Sequence, residues 1–226
     1  NVYVNTLLDE IKSANLKPER KNSWEIGLDF RVLNNRIALD FTYYKENTTD
    51  QIMAIDLPSI SGAKKQLINA GNIQNSGVEI ALNTIPFKNK DWQWDLNFTY
   101  TKNSSKIVEL SDLLTTSYYN LVGDVKGGDY HIGSVAQVGG AYGVLMSDIA
   151  PAYNDKGEKL LTWDDSWRAA TETPSGTVQE VGTLSPDFLG SISTTLSYKN
   201  WSLHVATDMR FGGMTAIYSN LYGTQG

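Results

Sequence analysis

The stretch that decides the fold is Trp24-Glu-Ile-Gly-Leu-Asp-Phe-Arg-Val-Leu-Asn-Asn-Arg-Ile-Ala-Leu-Asp-Phe-Thr-Tyr43. In its first half Trp24, Ile26, Leu28, Phe30 and Val32 are large and apolar, and Glu25, Gly27, Asp29 and Arg31 lie between them. A period of two is that of a β-strand with one apolar face. Asn34-Asn35 tolerates positive φ and suits a two-residue hairpin, after which Ile37, Leu39, Phe41 and Tyr43 share one side. Pairing Leu33 with Arg36 sets Val32 against Ile37, Phe30 against Leu39, Leu28 against Phe41 and Ile26 against Tyr43. Both apolar rows then fall on the same face.

The pattern recurs. Val78, Ile80 and Leu82 alternate with Glu79, Ala81 and Asn83; after a short connection at 86–91, Trp92, Trp94, Leu96, Phe98 and Tyr100 alternate with Gln93, Asp95, Asn97 and Thr99. Ile192, Thr194, Leu196 and Tyr198 mark a fifth strand, and beyond Lys199-Asn200 the residues Trp201, Leu203, Val205 and Met209 mark a sixth. Tight connections at 34–35, 86–91 and 199–200 alternate with long ones at 45–71 and 103–185. An up-and-down path therefore collects the tight turns at one end and the long loops at the other, as in outer-membrane barrels. Each segment supplies the roughly 9–11 residues that a tilted strand needs to cross the hydrocarbon. Aromatics fall where two interfacial girdles would lie: Tyr198, Trp201 and Trp92 at the tight-turn end, Trp24, Tyr43, Tyr100 and Phe211 at the other. A soluble sandwich would alternate equally well with its apolar face packed inward. The other face, with its Glu, Asp, Arg, Asn and Ser, suits a wet lumen and favours the membrane.

Composition closes off other classes. The chain has 226 residues and no cysteine, so a disulfide scaffold and thiol chemistry are excluded. No apolar run approaches the roughly 18 residues of a spanning helix. With 25 acids against 19 bases and no basic cluster, the chain lacks the charge that binds nucleic acid.

Leu16-Lys-Pro-Glu-Arg20 leading into Ser23-Trp-Glu-Ile-Gly-Leu-Asp29, then Asn69-Ala-Gly-Asn-Ile-Gln-Asn-Ser-Gly-Val-Glu79, Gly140-Ala-Tyr-Gly143, Asn154-Asp-Lys-Gly157, Gly182-Thr-Leu-Ser-Pro-Asp187 and Asp208-Met-Arg-Phe-Gly-Gly213 resemble, in order, segments of TonB-dependent outer-membrane receptors. The likeness is to the SusC/RagA-like importers of Bacteroidetes. It implies an all-β, antiparallel, up-and-down transmembrane β-barrel, with residues 1–226 as an internal piece carrying six of about 22 strands. It also implies a bacterial outer-membrane location, tight turns toward the periplasm and 103–185 as a long extracellular loop region. The expected function is non-enzymatic uptake of a glycan or oligopeptide. The partners it implies are a SusD-like surface lipoprotein acting as a lid, TonB acting through a plug elsewhere in the full protein, and outer-membrane lipid. No cofactor or metal is expected.

On this reading Trp24, Ile26, Leu28, Phe30, Leu39, Phe41, Trp94, Leu96, Leu203 and Val205 face lipid. Glu25, Asp29, Arg31, Asp40, Glu79, Asp95 and Asp208 face the lumen. Region 103–185 holds 11 acids and 5 bases among many aromatics, and aromatic planes beside carboxylates suit sugar recognition, or peptides. The ligand-contact candidates are Trp163, Asp164, Asp165 and Trp167, with Tyr118, Tyr119 and Tyr130. For any one of them, packing within the loop is the plainer role. Asp164-Asp165 is a weak pair for glycoside hydrolysis, because neighbours in sequence point apart. Residues 154–158 lack the regular acidic spacing of a calcium loop. His131 and His204 are far apart, with no nucleophile motif nearby. The rival readings are a soluble carbohydrate-binding or adhesin domain and, more weakly, a surface hydrolase.

Overall fold

The computed structural model describes residues 8–57, 61–114, 117–125, 131–166 and 168–215. The chain divides into two compact units, Asn1–Thr115 with Pro186–Gly212, and Thr116–Ser185 with Gly213–Gly226.

The first unit is one sheet. Its strands are β1 (Leu8–Lys12), β2 (Arg20–Val32), β3 (Ile37–Asp56), β4 (Ala63–Lys88), β5 (Trp92–Leu110), β12 (Phe188–Tyr198) and β13 (Trp201–Phe211). The order is β13-β12-β5-β4-β3-β2, antiparallel throughout, with β1 added parallel to β4. The β2–β3 register places Val32 opposite Ile37, Phe30 opposite Leu39, Leu28 opposite Phe41 and Ile26 opposite Tyr43, as the alternation predicts. Leu33, Asn34 and Asn35 take φ of 53°, 54° and 63° in the turn, which Arg36 N closes by donating to Leu33 O at 3.2 Å.

Three expectations need correction. The segment 45–71 is not a long loop, because β3 and β4 run on into it and leave only residues 57–62 as connection. The 86–91 connection shrinks to 89–91: β4 continues to Lys88 by taking a register shift between Thr84 and Phe87, which accommodates Pro86 and its missing N–H. Asn89 then closes the turn, its Oδ1 accepting from Asp91 N and Trp92 N at 2.9 and 2.8 Å. Region 103–185 is not one loop either. It begins with the end of β5 and goes on into a folded unit.

That second unit holds β6 (Tyr118–Asp124), β7 (Ile132–Gln137), β8 (Val144–Ser147), β9 (Leu161–Asp164), β10 (Ala169–Glu172) and β11 (Gln179–Thr183). They form a four-stranded sheet, β11-β8-β7-β6, and a β9–β10 hairpin. Val125, Val135, Val144 and Met146 make the sheet's buried cluster.

In the first unit, residues 13–19 cross β4 and β3 to join β1 to β2, which flank those two strands. This strap is pinned where it crosses. Lys17 N donates to Asn69 Oδ1 at 2.7 Å; Asn69 Nδ2 donates to Lys17 O at 2.8 Å and Asp50 O at 2.6 Å; Ile52 N donates to Glu19 Oε1 at 2.8 Å.

Candidate functional site

The register builds two chemically opposite faces. Leu28, Phe41, Ile80 and Tyr100 line up across four strands, and Phe30, Leu39, Leu82, Phe98 and Ile192 across five. Among the described residues no layer covers this face: Ile26 is 63% exposed, Leu28 54%, Leu203 63% and Trp201 80%. In a soluble sandwich it would be the buried face. Aromatic contacts mark both ends. Trp92 and Tyr198 pack at 4.3 Å between centroids, with Trp201 next in the row; at the other end Trp24 meets Tyr43 at 5.4 Å, and Phe188 touches Tyr100 and Phe211 at 5.4 and 4.5 Å.

The other face is polar from edge to edge. One row reads Asp29, Asp40, Ala81, Thr99, Ser191, Asp208, and Glu79 sits between Thr42 and Thr101 in the next. Asp29 and Asp40 stand directly opposite each other, an unfavourable like-charge pair, which Arg31 offsets by two hydrogen bonds to Asp29 at 3.0 Å. Asp95 accepts from Gln93 Nε2, Thr99 and Ser191 hydroxyls meet at 2.6 Å, and His204 Nδ1 meets Thr195 Oγ1 at 2.8 Å. Glu25, Asp29, Arg31, Asp40, Glu79, Asp95 and Asp208 therefore share one face. Past the Trp24–Tyr43 contact, Lys21 lies 2.6 Å from Glu46, and that hydrogen bond, despite partial desolvation, holds the Glu46 carboxyl below its ordinary range.

Sequence reasoning gave no role to Tyr44, which the structure lays across β4. Its ring crosses Gly77, where a Cβ would come within 2.4 Å of it, and its hydroxyl reaches Asn103 Oδ1 on β5 at 3.2 Å. The signal was a glycine inside an otherwise regular strand, a site of close approach.

The ligand-contact candidates separate. Trp163 lies on β9 opposite Ala170 and is 62% exposed. Asp164 points to the other side of the hairpin and accepts from Ser166 N at 2.8 Å, so it serves the turn. Asp165 is exposed in that turn. Tyr118 packs against the cluster of the second unit, taking the plainer role, while Tyr119 lies beside it on β6 opposite Ala136. Tyr130 and Trp167 lie outside the described residues. Behind the hairpin, Lys159 pairs with Glu172, and this hydrogen bond raises the Lys159 pKa. In turn 154–158, Asn154 Oδ1 accepts from Lys156 N and Glu158 N, both at 2.9 Å, so its oxygen is spent on the turn. His131 Nδ1 lies 2.8 Å from Asp148 Oδ1, and no serine nucleophile completes that pair among the described contacts.

A family model described as TonB dependent receptor-like, beta-barrel, matches residues 4–224. TonB-dependent receptor P3 of Formosa agariphila is 26% identical over 241 residues, which take in 95% of this chain and 22% of that relative. TonB-dependent receptor SusC of Bacteroides thetaiotaomicron is 32% identical over 125 residues, 55% of this chain and 12% of the relative. The solved RagAB peptide importer in its 'open-open' state shares the fold, with a TM-score of 0.64 at 22% identity over 88% of this chain and 21% of that one. The chain thus spans about a fifth or less of the proteins it matches. Alternating faces, an apolar belt exposed among the described residues and a match along nearly the whole chain agree: this chain belongs to the TonB-dependent receptor β-barrel family of the bacterial outer membrane, and it is similar within that family to SusC.

Proposed function

We propose that the chain forms part of the wall and outer surface of a nutrient importer that takes up a glycan or oligopeptide together with a SusD-like lipoprotein. The observation that carries this is the pairing of an uncovered apolar belt with a continuous polar face on the same strands. A water-soluble binding domain would leave that belt in water at a large cost. In this reading Trp24, Ile26, Leu28, Phe30, Leu39, Phe41, Trp94, Leu96, Leu203 and Val205 meet lipid. The acids and arginines of the opposite face line the lumen and meet the plug through which TonB acts. The unit within 103–185 faces outward, where Trp163 offers an exposed aromatic plane to ligand or lid. The solved relative described as a peptide importer, RagAB, supports a substrate of oligomeric size.

The test is protease accessibility on intact cells carrying the full-length receptor. Cleavage should fall within 103–185 while the strands and the turns at 34–35 and 199–200 stay protected in the outer-membrane fraction. Cutting at Lys199-Asn200 from outside would overturn the orientation, and recovery of the receptor in a soluble fraction would overturn the importer itself.

A further inference from the structure

The three tight turns carry a charge opposite to that of the chain. Residues 33–36, 88–91 and 199–200 hold four bases, Arg36, Lys88, Lys90 and Lys199, and one acid, Asp91, whereas the whole chain has a net charge of -6. The bases lie far apart in sequence, and the sheet brings their turns to one end of it. Hydrogen bonds hold the turns side by side there. Arg36 Nη2 donates to Lys88 O at 3.3 Å, and Lys199 N donates to Asp91 O at 2.8 Å. Lys90 stands at the tip of the turn in which Asn89 N donates to Trp92 O at 2.8 Å. All four bases are exposed, and among the described residues none forms an ion pair. Further along the strands Asp29, Asp40 and Asp95 lie on the polar face, where Arg31 engages Asp29 and Gln93 engages Asp95.

This positive rim continues the apolar belt. Trp92, Tyr198 and Trp201 stand at the same end of the belt, and Lys199 sets its Nζ 5.2 Å from the centroid of the Tyr198 ring. That charge therefore lies over the apolar side of the sheet. Aromatic rings at the edge of such a belt settle at headgroup level, and a lysine beside them lays its stem on apolar surface with its ammonium in the headgroup layer. Each cation so placed strengthens attachment to an anionic leaflet by roughly fivefold. Turns this short present charges in a row and no long segment to shape around a protein, which suits a layer of headgroups.

We propose that the tight-turn rim is a docking surface for the anionic phospholipid headgroups of the periplasmic leaflet. Lys90 and Lys199 meet their phosphates, and Arg36 and Lys88 add to the positive field behind them. The choice of leaflet rests on the importer reading, which puts the tight turns in the periplasm; the rim's chemistry does not.

The test is native mass spectrometry of the full-length receptor released from nanodiscs of equal parts phosphatidylglycerol and phosphatidylcholine, reading the ratio of the two lipids retained. The unmodified receptor should retain phosphatidylglycerol in excess. Lys90→Gln combined with Lys199→Gln should cut that excess about threefold or more, whereas Lys90→Arg with Lys199→Arg should keep it, and Lys156→Gln, in turn 154–158, should leave it unchanged. An unchanged ratio in the Gln pair overturns the proposal, and is what a protein partner at the rim would give. A loss in the Arg pair as large as in the Gln pair overturns it too, because charge would not then be the cause. The leaflet has its own measurement. A membrane-impermeant amine-reactive label on intact cells should reach Lys156 and spare Lys90 and Lys199, and should reach all three in detergent extracts. Labelling of Lys90 or Lys199 from outside overturns the periplasmic assignment and the importer's orientation together. An unchanged lipid ratio with both lysines spared sinks the rim and leaves the importer standing.

Discussion

Leu28→Arg separates a lipid-facing belt from an ordinary exposed surface, because the two give opposite forecasts for the same residue. Leu28 is 54% exposed, and at such a site in water an arginine costs within about 0.5 kcal/mol. Depth changes the answer. At about 3.4 Å per residue and a tilt near 40°, the four residues from Trp24 to Leu28 descend roughly 10 Å, and the six on to Asn34 roughly 15 Å. That places Leu28 near the middle of an apolar band about 25 Å tall, where an arginine on the lipid face costs about 2–4 kcal/mol. The folding equilibrium should fall by about 30- to 700-fold, at one decade per 1.4 kcal/mol. Asn83 is the control: it is exposed on the opposite face, between Ala38 and Asn97, so Asn83→Arg should stay within about 0.5 kcal/mol. The assay is urea titration of the full-length receptor refolded into lipid vesicles, with folded protein scored by heat-modifiable gel migration. A cost at Leu28 no greater than at Asn83 would refute the assignment of faces.

Two further substitutions probe the locks within the sheet. Gly77→Ala places a methyl 2.4 Å from the Tyr44 ring atoms and should cost about 1–2 kcal/mol as the ring swings off Asn103; in a Tyr44→Ala background the cost should vanish, and the double-mutant cycle in the same urea assay reads that coupling. Asn69→Leu removes three hydrogen bonds to Lys17 and Asp50 and should cost about 2–3 kcal/mol. Tryptic cleavage after Arg20 should rise at least tenfold, and an unchanged rate would mean the strap is held by other contacts.

The hairpin from Trp24 to Tyr43 was legible to the single residue because both strands alternate without exception and Asn34-Asn35 admits positive φ. The extension of β3 past Lys45 was not, because Lys-Glu-Asn-Thr-Thr-Asp is polar on both faces and shows no period. Inside 103–185 the strands are four to seven residues long, and Ile-Gly-Ser-Val-Ala-Gln of β7 is buried on both faces through its middle, so no alternation betrays it. The polar-face residues could be assigned to one side from the pattern alone. The register shifts on either side of Asn72 could not, because a bulge leaves no mark in the order of apolar residues. Asn69 and Asn72 stood out only as part of a family-like segment, and their hydrogen bonding, or its absence, had to come from the structure.

The strap sets an order of events in assembly. β3 and β4 are joined by six residues, so their pairing closes a short loop and forms early. Lys17 has to find Asn69, 52 residues along the chain, and the strap crosses strands that must already be paired for Asn69, Asp50 and Ile52 to receive it. The strap and β1, although they precede β3 and β4 in the chain, are therefore the last parts of this sheet to lock. Until they do, β4 keeps an open edge from Ala63 to Leu67, beyond the reach of β5, which is the interval in which a chaperone or a neighbouring chain competes for it.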